Sequence, residues 1–173
     1  MFRFYIKLQE YILKDIAKEN YCWFLVKDDT NFYLGNLHLI FVIPEEYMIL
    51  SQDIFNKCNN YQDLKTEVLK IMNRENRAVL WKDSGLIETQ TRRHVKLFYQ
   101  DDYKVKMSKR YLAVDEKYLK IFDKEFCYLT SESSKNPVFI YRYDATLLGV
   151  VMPLQFNMSD SIKGFVRELS SCD

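Results

Sequence analysis

Hydrophobic and polar positions alternate along this chain in two rhythms. Near the start, Phe4, Tyr5, Leu8, Ile12 and Ile16 recur at steps of three and four, with Lys7, Glu10, Lys14 and Asp15 between them. That spacing predicts an amphipathic helix ending near Asn20. The rhythm then shortens. Tyr21 to Val26 reads as a strand, Lys27 to Thr30 as a turn, and Asn31 to Leu34 as a second strand. Gly35-Asn36 is a hairpin signal, and Leu37 to Ile43 forms the returning strand before Pro44. Ser51 and Asp53 suit the cap of a short helix through Lys57. A further helix is predicted from Tyr61 to Asn73, with Leu64, Val68, Leu69 and Met72 on one face.

The second half repeats the alternation. Arg77 to Trp81 reads as a strand, Asp83-Ser84-Gly85 as a turn, and Leu86 to Tyr99 as one long strand or two. Val105 and Met107 alternate with Lys104 and Lys106 as a short strand. Asp115 is placed to cap a helix through Phe122, with Tyr118, Leu119 and Phe122 inward. Glu125 to Leu129 follows as a strand, then a polar loop from Thr130 to Lys135. The strongest signal is Asn136 to Phe156: two β-branched and aromatic runs around a short break at Asp144, Ala145 and Thr146. This hairpin is expected to turn Val138, Ile140, Val150 and Met152 toward the core. A last helix is expected within a C-terminal extension, residues 159–173, with Ile162, Phe165, Val166 and Leu169 as its apolar face.

Together these elements predict an α+β fold: one domain over residues 1–173, with antiparallel sheet and packed helices. Its length suits a single domain with a real core. With only 4 Gly and 3 Pro there is no flexible linker at which to divide it. Phe4 to Ile43 and Asp115 to Leu154 both read helix, strand, strand, strand, and each closing strand meets a proline, Pro44 or Pro153.

Charge and candidate chemistry change this picture little. The net charge is +1, so the molecule as a whole exerts little long-range pull on nucleic acid or membrane. Residues 57–110 are nevertheless basic, with 13 Lys and Arg against 7 Asp and Glu, and the remainder is acidic. Cys22, Cys58, Cys127 and Cys172 are more than thirty residues apart, which argues against a zinc ribbon or finger. No metal site and no cofactor are expected. The four glycines are isolated, so phosphate and dinucleotide loops are excluded. There is no Gly-x-Ser-x-Gly elbow. The start of the chain does not read as a signal peptide, and no stretch of about 18 apolar residues could span a bilayer. The expected compartment is therefore the reducing cytosol, with free thiols.

Two histidines are present. His38 lies in an apolar strand, where a structural role is expected. His94 follows Arg92-Arg93 in the segment Thr91 to Tyr99. On a strand of period two, Arg92, His94, Lys96 and Phe98 share one face, a basic strip with one aromatic that suits phosphate or an acidic protein partner. Carboxylate pairs at Asp28-Asp29, Glu45-Glu46, Asp101-Asp102 and Asp115-Glu116 fall at turns or helix starts, where backbone reasons favour them.

Residues 110–156, with Tyr118-Leu119 in the helix and Val151-Met152-Pro153-Leu154 at the end, resemble a repeat of the bacterial sliding clamp, the processivity factor of the replicative polymerase. The resemblance implies two helix-plus-three-strand halves. The Lys-, Asn-, Ile- and Tyr-rich composition is similar to that of phage and mobile-element proteins of low-GC bacteria. The lack of catalytic signatures and the abundance of Tyr, Phe and Arg, residues enriched at interfaces, make a non-enzymatic protein-interaction module the expected function, and the composition makes inhibition of a host defence complex such as a CRISPR nuclease its specific form. A clamp-like accessory binding nucleic acid or replication proteins is the first alternative. An enzyme with an unrecognised carboxylate site is the second. A protein partner is expected first, nucleic acid through the basic middle segment second, and no membrane. If the chain is phage-derived, its cytosol is that of a bacterial host.

Overall fold

The structure, a computed structural model, describes residues 2–18, 23–36, 38–55, 61–88, 94–102, 108–122 and 128–154. Helix α1 spans Phe2–Ala17 and leads into strands β1 (Phe24–Lys27), β2 (Asn31–Gly35) and β3 (Leu39–Pro44). Two short 3-10 turns follow, Glu45–Tyr47 and Gln52–Phe55, then α2 (Tyr61–Asn73) and a third 3-10 turn, Arg74–Arg77. The remainder is β4 (Val79–Glu88), β5 (His94–Asp102), β6 (Ser108–Asp115), α3 (Glu116–Phe122), β7 (Tyr128–Ser131), β8 (Val138–Tyr141) and β9 (Leu147–Val151). This is the α+β architecture expected from the sequence.

All nine strands belong to one antiparallel sheet in the order β1-β2-β3-β9-β8-β7-β4-β5-β6. Local chemistry sets its turns. Between β1 and β2, Asp28 Oδ1 accepts the backbone N–H groups of Thr30 and Asn31 at 2.8 and 2.7 Å, the local bonding that makes Asp a turn former. Between β2 and β3, Asn36 Oδ1 accepts from His38 and Leu39 at 2.8 and 3.1 Å. Gly35 itself remains in the strand.

Asp83-Ser84-Gly85 departs from expectation. It is a β-bulge inside β4, with Gly85 at φ 116°, and the register against β5 shifts between Asp83 and Gly85. A glycine in that conformation suits a bulge as well as a turn. The segment Leu86 to Tyr99 is accordingly two strands. The predicted helix from Ser51 is a 3-10 turn over Gln52–Phe55, with Asn56 and Lys57 outside the described residues, and the predicted strand from Glu125 is described from Tyr128 onward. The strand at Val105 and Met107 and the helix within 159–173 lie outside the described residues.

Over the strands β1-β2-β3-β9-β8-β7 both faces of the sheet carry packed cores. One core gathers Tyr5, Leu8 and Ile12 of α1 and Tyr118, Leu119 and Phe122 of α3 against Phe41, Ile140 and Val151. The other packs Val68, Leu64, Ile71 and Met72 of α2 against Tyr33, Val42, Phe139 and Val150. Alternation along the hairpin therefore decides which core a residue enters, not whether it is buried. Val138 and Ile140 enter the α1/α3 core and Val150 the α2 core, all three buried as expected, whereas Met152, beyond the end of β9, is half-buried.

The element order α1-β1-β2-β3 recurs as α3-β7-β8-β9, and the two closing strands meet in the sheet. Ile40 lies opposite Val150 and Phe41 opposite Gly149. Phe41 is the hub of this seam. Its ring lies 5.8 Å from Trp23, 6.1 Å from Tyr11 and 5.5 Å from Phe122. Gly149 permits that approach, because a Cβ there would stand 2.5 Å from the Ile40 carbonyl oxygen and 2.9 Å from Phe122.

Candidate interaction surfaces

The basic strip predicted on β5 resolves into residues of different fates. Arg92 lies outside the described residues. His94 opens β5 with about half its side chain exposed, and its Nδ1 is 3.7 Å from Glu116 Oε2. Lys96 Nζ is 2.6 Å from Asp83 Oδ2. Phe98 is only 2% exposed and belongs to the α1/α3 core with Leu112 and Val114. Phe98 is thus a core residue, not part of an open face. The reason is geometric: Val114 pairs with Lys96 and Leu112 with Phe98, and both are core residues. The side of β5 that carries the basic residues at its start turns inward along its length. Alternate positions do share a side, but period two says nothing of what covers that side.

A cleft of about 400 Å³ opens beside the start of α3, lined by His94, Asp115, Glu116, Lys117 and Lys120. Asp115 is buried and caps α3, its Oδ1 accepting the Lys117 N–H at 3.0 Å. Glu116 Oε2 takes Lys120 Nζ at 2.8 Å. Each carboxylate is thus already engaged, one as a helix cap and one in an ion pair. Among the described residues no three His, Cys, Asp or Glu side chains are grouped to hold a metal ion. All four cysteines lie outside those residues. His38 is half-buried and stacks on Tyr118 at 5.6 Å, a structural position. No helix among the described residues is long and apolar enough to cross a membrane.

The tip of the β8–β9 hairpin has a different character. Tyr143 is 91% exposed, yet its neighbours are fixed. Arg142 Nε donates to Asp144 Oδ1 at 3.0 Å, and a second guanidinium N–H donates to Asp144 Oδ2. Asp144 Oδ1 also accepts the Thr146 N–H at 3.1 Å. Across the loop, Arg142 N–H donates to the Thr146 carbonyl and Ala145 N–H to the Arg142 carbonyl. Ala145 holds a left-handed φ of 61°, a conformation that few non-glycine residues adopt. The bidentate Arg142 pair, with help from Thr146, holds the Asp144 carboxyl well below the usual carboxylate range.

The tip lies within electrostatic reach of Tyr5, whose phenol burial pushes up and Arg142 pulls down. Tyr5 stacks on Tyr47 at 5.0 Å, and Tyr47 lies 6.2 Å from the half-exposed ring of Phe2. Gln9 ties this segment to α1. Its Oε1 accepts the N–H groups of Ile49 and Leu50 at 2.8 and 3.1 Å, and its Nε2 donates to the Tyr47 carbonyl at 2.9 Å.

A second cleft of about 400 Å³ lies on the α2 face, near the base of the same hairpin, with Tyr33, Met72, Asn73, Glu75, Asn76 and Leu147 among its walls. The Tyr33 hydroxyl donates to Asp28, and the Tyr141 hydroxyl donates to Glu75 Oε1. Burial first, and these acceptors second, push both phenols well above their ordinary range. Arg74 and Arg77, flanking Glu75 in sequence, both turn to Glu132, at 3.8 and 3.7 Å.

No family model, curated protein or solved structure matches this chain.

Sequence reasoning missed both the hairpin tip and the Glu75 cleft. Tyr143 reads as a strand residue because it continues the alternation of Val138 to Tyr141. The polar break directly after it was the available signal, since a tyrosine bordering a tight turn leaves the sheet. Glu75 reads as one more charge on a solvated stretch, and only the fold brings Tyr141, 66 positions away in the chain, to its carboxylate.

Proposed function

We propose that this chain is a non-enzymatic protein-interaction module that works by covering part of a partner's surface, with the β8–β9 hairpin tip as a contact. The observation that carries this reading is Tyr143, 91% exposed on a loop whose other members are hydrogen-bonded in place. Tyrosine offers a large amphipathic contact for little conformational entropy, and a fixed backbone lowers the ordering penalty of binding. Exposed aromatic anchors of this kind dominate interface energetics. The similarity of composition to phage and mobile-element proteins makes inhibition of a bacterial defence complex, such as a CRISPR nuclease, the specific form proposed.

A photo-crosslinking residue placed at 143 and, separately, at the exposed Lys70 of α2 tests the contact in host lysate. A partner captured from 143 and not from 70 is expected. Tyr143→Ala should then weaken binding to that purified partner by about tenfold or more, the scale of an interface hot spot, with thermal stability unchanged. Equal capture from both positions, or undiminished binding by the variant, would refute the reading.

A second reading, a clamp-like accessory for nucleic acid or replication proteins, draws support from the recurrence of one helix and three strands about the β3–β9 seam. As a nucleic-acid accessory it requires duplex binding that weakens steeply with salt, and absence of duplex binding at low salt removes that form.

A further inference from the structure

We propose that the cleft between α2 and the base of the β8–β9 hairpin receives an arginine side chain of a partner protein. Glu75 is the centre of the case. Its Oε1 accepts from the Tyr141 hydroxyl, and among the described residues no cation pairs with it. The arginines beside it in sequence are both directed to Glu132. A carboxylate on a cleft wall with one oxygen uncommitted and no counter-ion among the described residues is a site for a cation.

The surroundings select the kind of cation. None of the ten residues lining the cleft is Lys, Arg or His, so nothing on its walls repels a positive charge. The cleft also lies at the C-terminal end of α2, where the helix dipole favours cations. Asn73 and Asn76 line the same cleft, and a planar guanidinium with five donors spans carboxylate and amide acceptors more widely than a compact ammonium with three. Met72 and Leu147 supply apolar wall for a methylene stem. Thr146 and Leu147 belong both to this cleft and to the hairpin that presents Tyr143, so one partner can meet both.

This role rests on the interaction reading in one respect, that the arginine belongs to the protein meeting the hairpin. The two fail separately, because a small-molecule titration reads the cleft alone and crosslinking from 143 reads the tip alone.

The test is titration of the ¹⁵N-labelled full chain with Nα-acetyl-arginine amide, with the lysine and citrulline analogues in parallel, followed by NMR at Asn73, Glu75 and Asn76. Saturable shifts confined to these residues are expected with the arginine compound, in the millimolar range usual for one small cation. Binding should be weaker with lysine and absent with neutral citrulline. Glu75→Gln keeps an acceptor for the Tyr141 hydroxyl and should weaken binding about tenfold or more, the scale of a charge-assisted hydrogen bond. Asn73→Lys, at an exposed position, should abolish it by repulsion and serves if the first variant is unfolded. Glu67→Gln, whose parent pairs with Lys70 on the solvent side of α2, should bind as wild type. Shifts that do not saturate, citrulline binding as well as arginine, tighter binding of lysine, or undiminished binding by both Glu75→Gln and Asn73→Lys would overturn the assignment.

Discussion

Gln9 is a small side chain with a large structural role. It is fully buried, and its amide serves four backbone groups: the carbonyls of Tyr5 and Tyr47 and the N–H groups of Ile49 and Leu50. Gln9→Leu keeps most of the volume and removes every one of these hydrogen bonds. Two N–H groups then lose their acceptor in a partly buried place, so a loss of about 2–4 kcal/mol is expected. Gln9→Glu keeps the acceptor and should lose less. Urea denaturation measures both, and a loss under about 0.5 kcal/mol for the leucine variant, the size of an ordinary surface change, would show that the connector is held by packing instead. This role was not legible in the sequence. Gln9 sits directly between Leu8 and Glu10, and the helical period places it at the edge of the apolar face, where a solvated amide is the ordinary reading. Its partners are some forty positions away. Phe98 failed for the opposite reason. Its side of the strand was legible, but the helix that covers that side comes from α3, later in the chain.

At the scale of elements the sequence was far more informative, because turns are made by residues close in the chain. The Asp28 turn, the Asn36 turn, the Asp115 cap and the break after Tyr143 are each set by side chains reaching backbone two or three residues away. The misplaced turn at Asp83-Ser84-Gly85 shows the limit. Its Asp83 Oδ1 to Gly85 N–H bond, at 2.9 Å, is a turn-like contact, but β5 pairs on both sides of it, and long-range pairing makes it a bulge. The Asp28 turn also carries a pH dependence. Burial alone would raise the Asp28 carboxyl, but the Tyr33 hydroxyl and the N–H groups of Thr30 and Asn31 outweigh it and hold the pKa below the ordinary value. The folded state therefore prefers the carboxylate. Its stabilisation is present above the unfolded pKa, about 3.9, and is lost as pH falls through the lower folded value. Denaturant melts of wild type and Asp28→Asn should differ at pH 5, and the difference should shrink steadily toward pH 2. A difference that stays constant over that interval would show that the carboxylate charge has no part in holding the turn.

The whole molecule is organised by the β3–β9 seam. Each half, α1-β1-β2-β3 and α3-β7-β8-β9, supplies one helix to the same face of the sheet, and neither half closes its core alone. Phe41 from the first packs on Phe122 from the second, and Gly149 lets the two meet. β4 extends the arrangement, pairing with β7 through Val79–Trp81 and with β5 from Lys82 onward, on both sides of the bulge, so the β5–β6 end is continuous with the rest. A sheet continuous across both halves, with a shared aromatic hub, should unfold as one unit. The two tryptophans allow a direct check. Trp23 reports the α1 end, where its Nε1 donates to Asp15 at 2.7 Å, and Trp81 reports β4, where its Nε1 donates to the Ser131 carbonyl at 3.1 Å. In Trp23→Phe the remaining fluorescence follows β4, and in Trp81→Phe it follows the α1 end. Within each variant the urea midpoint by fluorescence should coincide with that by far-ultraviolet circular dichroism, since one transition governs both. If the fluorescence of Trp81 instead changed at a lower urea concentration than the circular dichroism of the same variant, the β4–β6 end would be opening separately. The seam would then unify only the six strands from β1 to β7, and the arginine cleft and hairpin tip, both on that six-stranded part, would stay formed after the rest had opened.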